Sequence, residues 1–114
     1  MNTTRALSAA TLSTIVCLAT LSAQAGESFT SAKFLTYPAD AQRNYISTSV
    51  VAATVVVSLN SKKQADCLGK WLTKHRADGY ASVLSVMRKY PNDHPTGLVI
   101  SVLQRDCGAF KYSK

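Results

Sequence analysis

The feature that most constrains the fold is a pair of cysteines, Cys67 and Cys107, about 40 residues apart in a chain of 114 residues. A domain this small buries a limited share of its surface, and small exported domains often compensate with a disulfide. For a loop of that length, chain entropy predicts roughly 4 kcal/mol of stabilisation. We therefore predict a single domain held by one Cys67–Cys107 disulfide, which excludes a multidomain enzyme.

The first 25 residues have the pattern of a cleaved secretory signal. Arg5 is the only charged residue among them, residues 6–19 are mostly small or apolar, and Ala23-Gln24-Ala25 is typical of a cleavage site. Cleavage after Ala25 removes the odd cysteine, Cys17. We expect a periplasmic or secreted protein without membrane insertion, because the remaining apolar run over 50–59 is too short to span a bilayer.

The rest of the chain is expected to contain a loose polar leader, residues 26–33, and one domain, residues 34–114. Apolar residues in this domain recur at three- and four-residue steps, which is typical of amphipathic helices. Breaks at Asn60-Ser61, at Asp78-Gly79 and over 91–95 separate four such segments. Valine and threonine over 47–59 favour a strand, but a run of that length without Gly or Pro is more typical of a helix. We predict a small all-α domain of four helices.

Several residues are expected to mark helix ends or to fill the core. Ser61 and Gln64 fit a capping box at the start of the second helix, Asp93 is a candidate cap for the fourth, and Gly108 suits the position after its end. In the first helix the predicted apolar stripe comprises Ala41, Tyr45, Thr48, Ala52, Val55, Val56 and Leu59. The predicted core comprises Tyr45, Ala52, Val56, Leu68, Trp71, Leu84, Met87, Leu98, Val102 and Leu103.

Residue patterns that carry catalysis are missing from the sequence. His75 and His94 are not spaced as a metal pair, and the six acidic residues occur singly rather than as a general acid–base pair. No serine lies in a nucleophile elbow, and a cysteine nucleophile would need a free thiol. We expect no enzymatic activity, no metal and no cofactor.

The charge points instead to binding. The formal net charge is +7, and five cations lie within fifteen residues around the second helix: Lys62, Lys63, Lys70, Lys74 and Arg76. Such a basic stripe suits an acidic protein, an acidic lipid or nucleic acid, although export argues against nucleic acid. A solvated face without any partner is the alternative. The turn containing Asn92, Asp93 and His94 is a second candidate contact, unless it only separates two helices.

The sequence resembles the small exported Rap/Tai-type immunity proteins, which block peptidoglycan-amidase effectors of type VI secretion. The resemblance is carried by Phe34-Leu35, Arg43 to Ile46, Cys67, Tyr90 to Pro95, and Leu103 to Cys107. It implies an exported effector enzyme as partner and leaves a homodimer open. HdeA-type periplasmic acid-stress chaperones are similar in size, helicity and single disulfide. An acid-triggered chaperone needs many carboxylates whose protonation loosens the fold. This chain has only six, against thirteen Lys and Arg, which disfavours an acid switch. An orphan of the same fold is the third alternative.

Overall fold

The computed structural model describes residues 28–111, which form five α-helices and no strand. The helices are α1 (Ser31–Phe34), α2 (Ala39–Ser58), α3 (Lys62–Arg76), α4 (Ala81–Lys89) and α5 (Pro95–Cys107). The predicted all-α fold and its four longer helices are confirmed. The predicted signal over 1–25 lies outside the described residues.

Helix α2 is confirmed as a helix, but its buried face differs from the predicted stripe. It packs mainly against α3 and also against α5, and its buried residues are Ile46, Val50 and Val57. Ala52 and Val56, both predicted to lie in the core, are exposed. The prediction was wrong because the second half of α2 is apolar or small on every side, so periodicity does not single out one face.

The core joins all five helices. Six of the predicted core residues are buried, whereas Tyr45 and Leu84 are partly buried and pack against the core from its edge. The buried members of the predicted set are Leu68, Trp71, Met87, Leu98, Val102 and Leu103. The structure adds apolar residues from every helix and from the α3–α4 turn: Phe34, Ile46, Val50, Val57, Ala65, Tyr80, Val83 and Val99.

The disulfide joins α3 to the last residue of α5. Cys67 and Cys107 are bonded, with their Cα atoms 5.8 Å apart, which is within the usual range. The predicted pairing is therefore confirmed. Helix α2 packs against both α3 and α5, so the bond joins the two helices that α2 contacts.

The capping box at the start of α3 is confirmed in one half only. The Ser61 hydroxyl oxygen accepts a hydrogen bond from the backbone N–H of Gln64, as predicted. The Gln64 side chain does not accept the reciprocal hydrogen bond from the N–H of Ser61, which donates to the carbonyl oxygen of Val57 instead. Its amide donates instead to the carbonyl oxygens of Gly108 and Ala109, at 2.8 and 2.9 Å. Gln64 therefore holds the chain after α5 against the start of α3.

Residues 28–33, predicted to belong to a loose leader, are packed onto the domain. Ser31 is fully buried, and both its N–H and its hydroxyl donate to the carbonyl oxygen of Asp93 at 2.8 Å. The N–H of Ala32 donates to the carbonyl oxygen of Pro91 at 2.9 Å. The prediction was wrong for Ser31 and Ala32, because these two residues satisfy carbonyl oxygens of the α4–α5 turn.

Candidate functional site

The predicted basic stripe is exposed and lies on α3. All five cations are exposed, and none of them takes part in the core. At about 100° per residue, Lys63, Lys70 and Lys74 point in nearly the same direction, opposite to Ala65 and Leu72. Lys62 and Arg76, the other two cations of the predicted stripe, point away from this face. This face is available to a partner along the whole length of α3.

A further cation lies beside the stripe, on α5. Arg105 lines a cleft of about 470 Å³ together with Lys70 and Lys74, above the disulfide. The sequence analysis missed Arg105 because α3 and α5 are distant in the chain and only the fold brings them together. The stripe therefore continues from α3 onto α5.

The carboxylate in this cleft, Asp106, is already engaged within the protein. Arg105 donates to one of its oxygens at 3.0 Å, and the indole N–H of Trp71 donates to the other at 2.8 Å. The pKa of Asp106 is lowered, mainly by the hydrogen bond from Arg105 and also by that from Trp71, against the opposing effect of burial. The pKa of Arg105 is raised by the same pair. Lys70 and Lys74 form no ion pair with Asp106.

This pair leads to a pH-dependent prediction. Asp106→Asn should lower the free energy of unfolding at pH 7 by about 1 kcal/mol, a modest value because the carboxylate is partly in solvent. Because folding lowers the pKa of Asp106, its stabilising effect is fully present above the unfolded-state pKa, which is near 4. The effect is lost as the pH falls through the folded-state pKa. Urea unfolding of both proteins from pH 7 to pH 3 should therefore show the difference shrinking toward acid. A constant difference would contradict this assignment.

The second predicted contact, the turn between α4 and α5, is engaged in the fold. Asn92, Asp93 and His94 are exposed, but the carbonyl oxygen of Asp93 is bonded to Ser31. The ring of His94 packs edge-on against Phe29, and its Nδ1 accepts from the N–H of Thr96. His94, rather than Asp93, is therefore the cap of α5. Contact of this turn with a partner stays a prediction.

The other histidine is part of the packing around the tryptophan. The ring of His75 stacks on Trp71 with 4.3 Å between ring centroids, and its Nδ1 is 3.7 Å from a carboxylate oxygen of Asp78. In residues 28–111, no three His, Cys, Asp or Glu side chains come together in a way that could hold a metal ion. His75 thus covers the edge of the core.

A surface that the sequence analysis missed is the outer side of α2. Leu59, just after the helix, is 82% exposed, and Val55 and Val56 are 60% and 57% exposed. Val51, one turn earlier, is also exposed. No charged residue occurs between Arg43 and Lys62. A contiguous apolar surface of this kind is typical of an interaction site.

This surface continues into a groove between α2 and α5, with a volume of about 680 Å³. The floor and walls are mostly small or apolar, and no lining residue is charged. The lining consists of Asn44, Tyr45, Thr48, Ser49, Ala52, Ala53, Val56, Thr96, Ile100 and Phe110. We call it the α2–α5 groove. The signal that could have revealed it is the uncharged run over 44–61, which is apolar or small around the whole helix.

Comparison with protein-family models, curated proteins and solved structures finds no match for this chain. Among the helices within residues 28–111, none is long and apolar enough to cross a membrane. Residues 28–111 form a small helical domain with a disulfide, a basic face and an apolar groove.

Proposed function

We propose that this protein is an exported, non-catalytic binding protein that occludes an effector enzyme, in the manner of an immunity protein against a cell-wall amidase. The observation that carries the proposal is the pairing of an uncharged apolar groove with a separate basic face on one small, rigidly stapled domain. Inhibitory proteins of this type combine a few buried anchors with complementary charge. The resemblance to the Rap/Tai-type proteins supports the amidase as target, and the signal pattern supports export.

The basic face supplies the electrostatic part of this function. Lys70 and Lys74 lie one turn apart on α3, and Arg105 stands beside them on α5. Cations directed at an acidic partner raise the association rate at low salt, and this advantage is lost as salt screens it. An enzyme with an acidic rim around its substrate cleft is the partner that this face fits.

A second candidate function is a periplasmic stress chaperone. The exposed residues Val51, Val55 and Leu59 favour it, because an uncharged apolar helix face also suits unfolded client chains. A chaperone would suppress aggregation of unrelated proteins, whereas an immunity protein would bind one folded enzyme. Light scattering of a denatured client with and without this protein separates the two functions.

We predict that reversing two charges, Lys70→Glu with Lys74→Glu, slows association with an exported amidase about tenfold or more at low salt. Both residues are exposed, so thermal stability should change little. The measurement is the association rate of wild type and variant across ionic strength, where the two rates should converge at high salt.

The matched control is Arg88→Glu with Lys89→Glu, which makes the same charge change at two exposed sites on α4. It tests whether net charge alone sets the rate. Equal association rates for wild type and the α3 variant at every salt concentration would remove the basic face from the interface. Failure of the wild type to bind any exported amidase would overturn the immunity proposal.

A further inference from the structure

We propose that the α2–α5 groove binds an amphipathic helix of a partner protein, with acidic residues at the helix end that meets the α2–α3 turn. This inference rests on the proposed binding function and specifies the chemistry of the partner segment. It concerns the groove and the neighbouring lysine cleft, and Lys70 lies between that cleft and the basic face of α3.

The dimensions of the groove suit a short helix. Its α2 side extends from Asn44 to Val56, which corresponds to about 18 Å or three helical turns. The opposite side is formed by Thr96 and Ile100 of α5, and Phe110 closes one end. Grooves between two helices typically receive the apolar face of a third helix, with anchors at i, i+3, i+4 and i+7.

The lining determines which helix face can enter. Ala52 and Ala53 leave space at the centre, and Val56, Ile100 and Phe110 provide apolar walls. The hydroxyls of Tyr45 and Thr96 are hydrogen-bonded to each other, so these lining groups present satisfied polar atoms. An apolar side chain can therefore enter beside this pair without leaving either of the two hydroxyls unpaired.

Charge lies in a cleft beyond the end of the groove that Phe110 closes. Phe110 lines the groove, and the next residue in the chain lines a neighbouring cleft at the start of α3, which contains four lysines: Lys62, Lys63, Lys70 and Lys111. That cleft has two carboxylates, Asp66 and Asp106, and the latter is engaged by Arg105 and Trp71. Positive charge therefore predominates where α2 ends, which favours an acidic end on the bound helix.

A second copy of this chain fits the groove less well. Its exposed apolar helix is α2, which has no carboxylate between Asp40 and the end of the helix. It would fill the apolar part of the groove without complementing the four lysines of the neighbouring cleft. A partner helix with acidic residues satisfies both parts of the surface.

The test uses a fluorescently labelled peptide of about 16 residues, long enough to cover the groove. It carries leucines at i, i+3, i+4 and i+7 and glutamates at one end, and a second peptide has lysines in place of the glutamates. Fluorescence anisotropy with the purified, disulfide-bonded chain should give saturable binding of the acidic peptide. The basic peptide should bind about tenfold more weakly or worse at low salt, a difference of about 1.4 kcal/mol.

Two variants locate the binding. Ala52→Gln places a longer polar side chain in the groove from an exposed position, and Lys62→Glu with Lys63→Glu reverses the charge at its end. Each should weaken the acidic peptide about tenfold or more. The matched controls are Ala81→Gln, at an exposed alanine of α4, and Arg88→Glu with Lys89→Glu, at exposed sites on the same helix. Both controls should leave peptide affinity within about twofold of wild type.

Three results would overturn the inference: no saturable binding of the acidic peptide, equal binding of both peptides, or equal loss in the variants and their controls. Sedimentation of the wild type alone tests whether a second copy of the chain occupies the groove. A dimer that Ala52→Gln dissociates would assign the groove to self-association. Binding to phosphatidylglycerol vesicles in place of the peptide would assign it to lipid. Amidase binding is measured separately. Loss of amidase binding would contradict the immunity proposal without affecting the peptide result, and absence of peptide binding would contradict the groove proposal without affecting the amidase result.

Discussion

Replacing both cysteines, Cys67→Ser with Cys107→Ser, is expected to lower the free energy of unfolding by about 4 kcal/mol. The bond closes a loop with a sequence separation of 40, and its loss lets the unfolded chain expand. It also frees the end of α5 from α3, the two helices on which α2 rests. A small domain has only about 5–15 kcal/mol in total, so the variant should be close to unfolded at 37 °C.

The measurement is urea unfolding followed by circular dichroism, with linear extrapolation to water. Wild type treated with reductant is the matched control and should unfold at nearly the same urea concentration as the double variant. Intact mass after alkylation checks the bond itself, because the oxidised domain should present no free thiol from Cys67 or Cys107. An unchanged unfolding midpoint in the double variant would show that the bond adds nothing to stability.

Trp71→Ala is expected to have the second largest effect, about 3–5 kcal/mol of destabilisation. The side chain is 5% exposed and stacks on His75 on one side, with Tyr80 in a further stacked arrangement at 6.2 Å. Its removal leaves a cavity at the junction of α3, α4 and α5. It also takes away one of the two donors to Asp106.

Trp71→Phe separates packing from hydrogen bonding. It retains an aromatic ring but not the N–H, so it should cost less than Trp71→Ala, about 2 kcal/mol. Tyr90→Ala is the surface control, since this aromatic residue is 47% exposed and lies outside the core, so its loss should change stability by about 0.5 kcal/mol or less. Circular dichroism is the readout, because Trp71 is the only tryptophan of the chain. A cost below about 1 kcal/mol for Trp71→Ala would mean that this site is not a packed part of the core.

The chain that follows α5 borders both the α2–α5 groove and the lysine-lined cleft at the start of α3. Phe110 faces the α2–α5 groove, whereas Lys111 lies with the lysines at the start of α3. Gln64 holds this stretch by its bonds to the carbonyl oxygens of Gly108 and Ala109. A partner that occupies both surfaces would therefore contact the chain just beyond the disulfide.

Local signals in the sequence were sufficient for the four longer helices and for the disulfide, but not for α1. Ser61, the Asp78-Gly79 break and Pro95 act on their immediate neighbours through hydrogen bonds and backbone geometry, so their effect does not depend on the fold. The buried positions of α3 and α5 were also predictable. Polar and apolar residues are separated around these helices, and Leu68, Trp71 and Leu103 are buried as expected.

Tertiary structure alone decided what α2 buries and where binding surfaces form. Around the second half of α2 nearly every side is apolar or small, so Val50 and Val56 are equivalent by pattern, and only packing against α3 and α5 buries the first and exposes the second. Arg105 joined the basic face for a similar reason, since it meets Lys70 only when α5 lies beside α3. Composition and periodicity determined that this chain is a stapled helical domain. Which of its apolar residues are left for a partner depends on helix contacts between segments distant in sequence, and those contacts are not encoded in any local pattern.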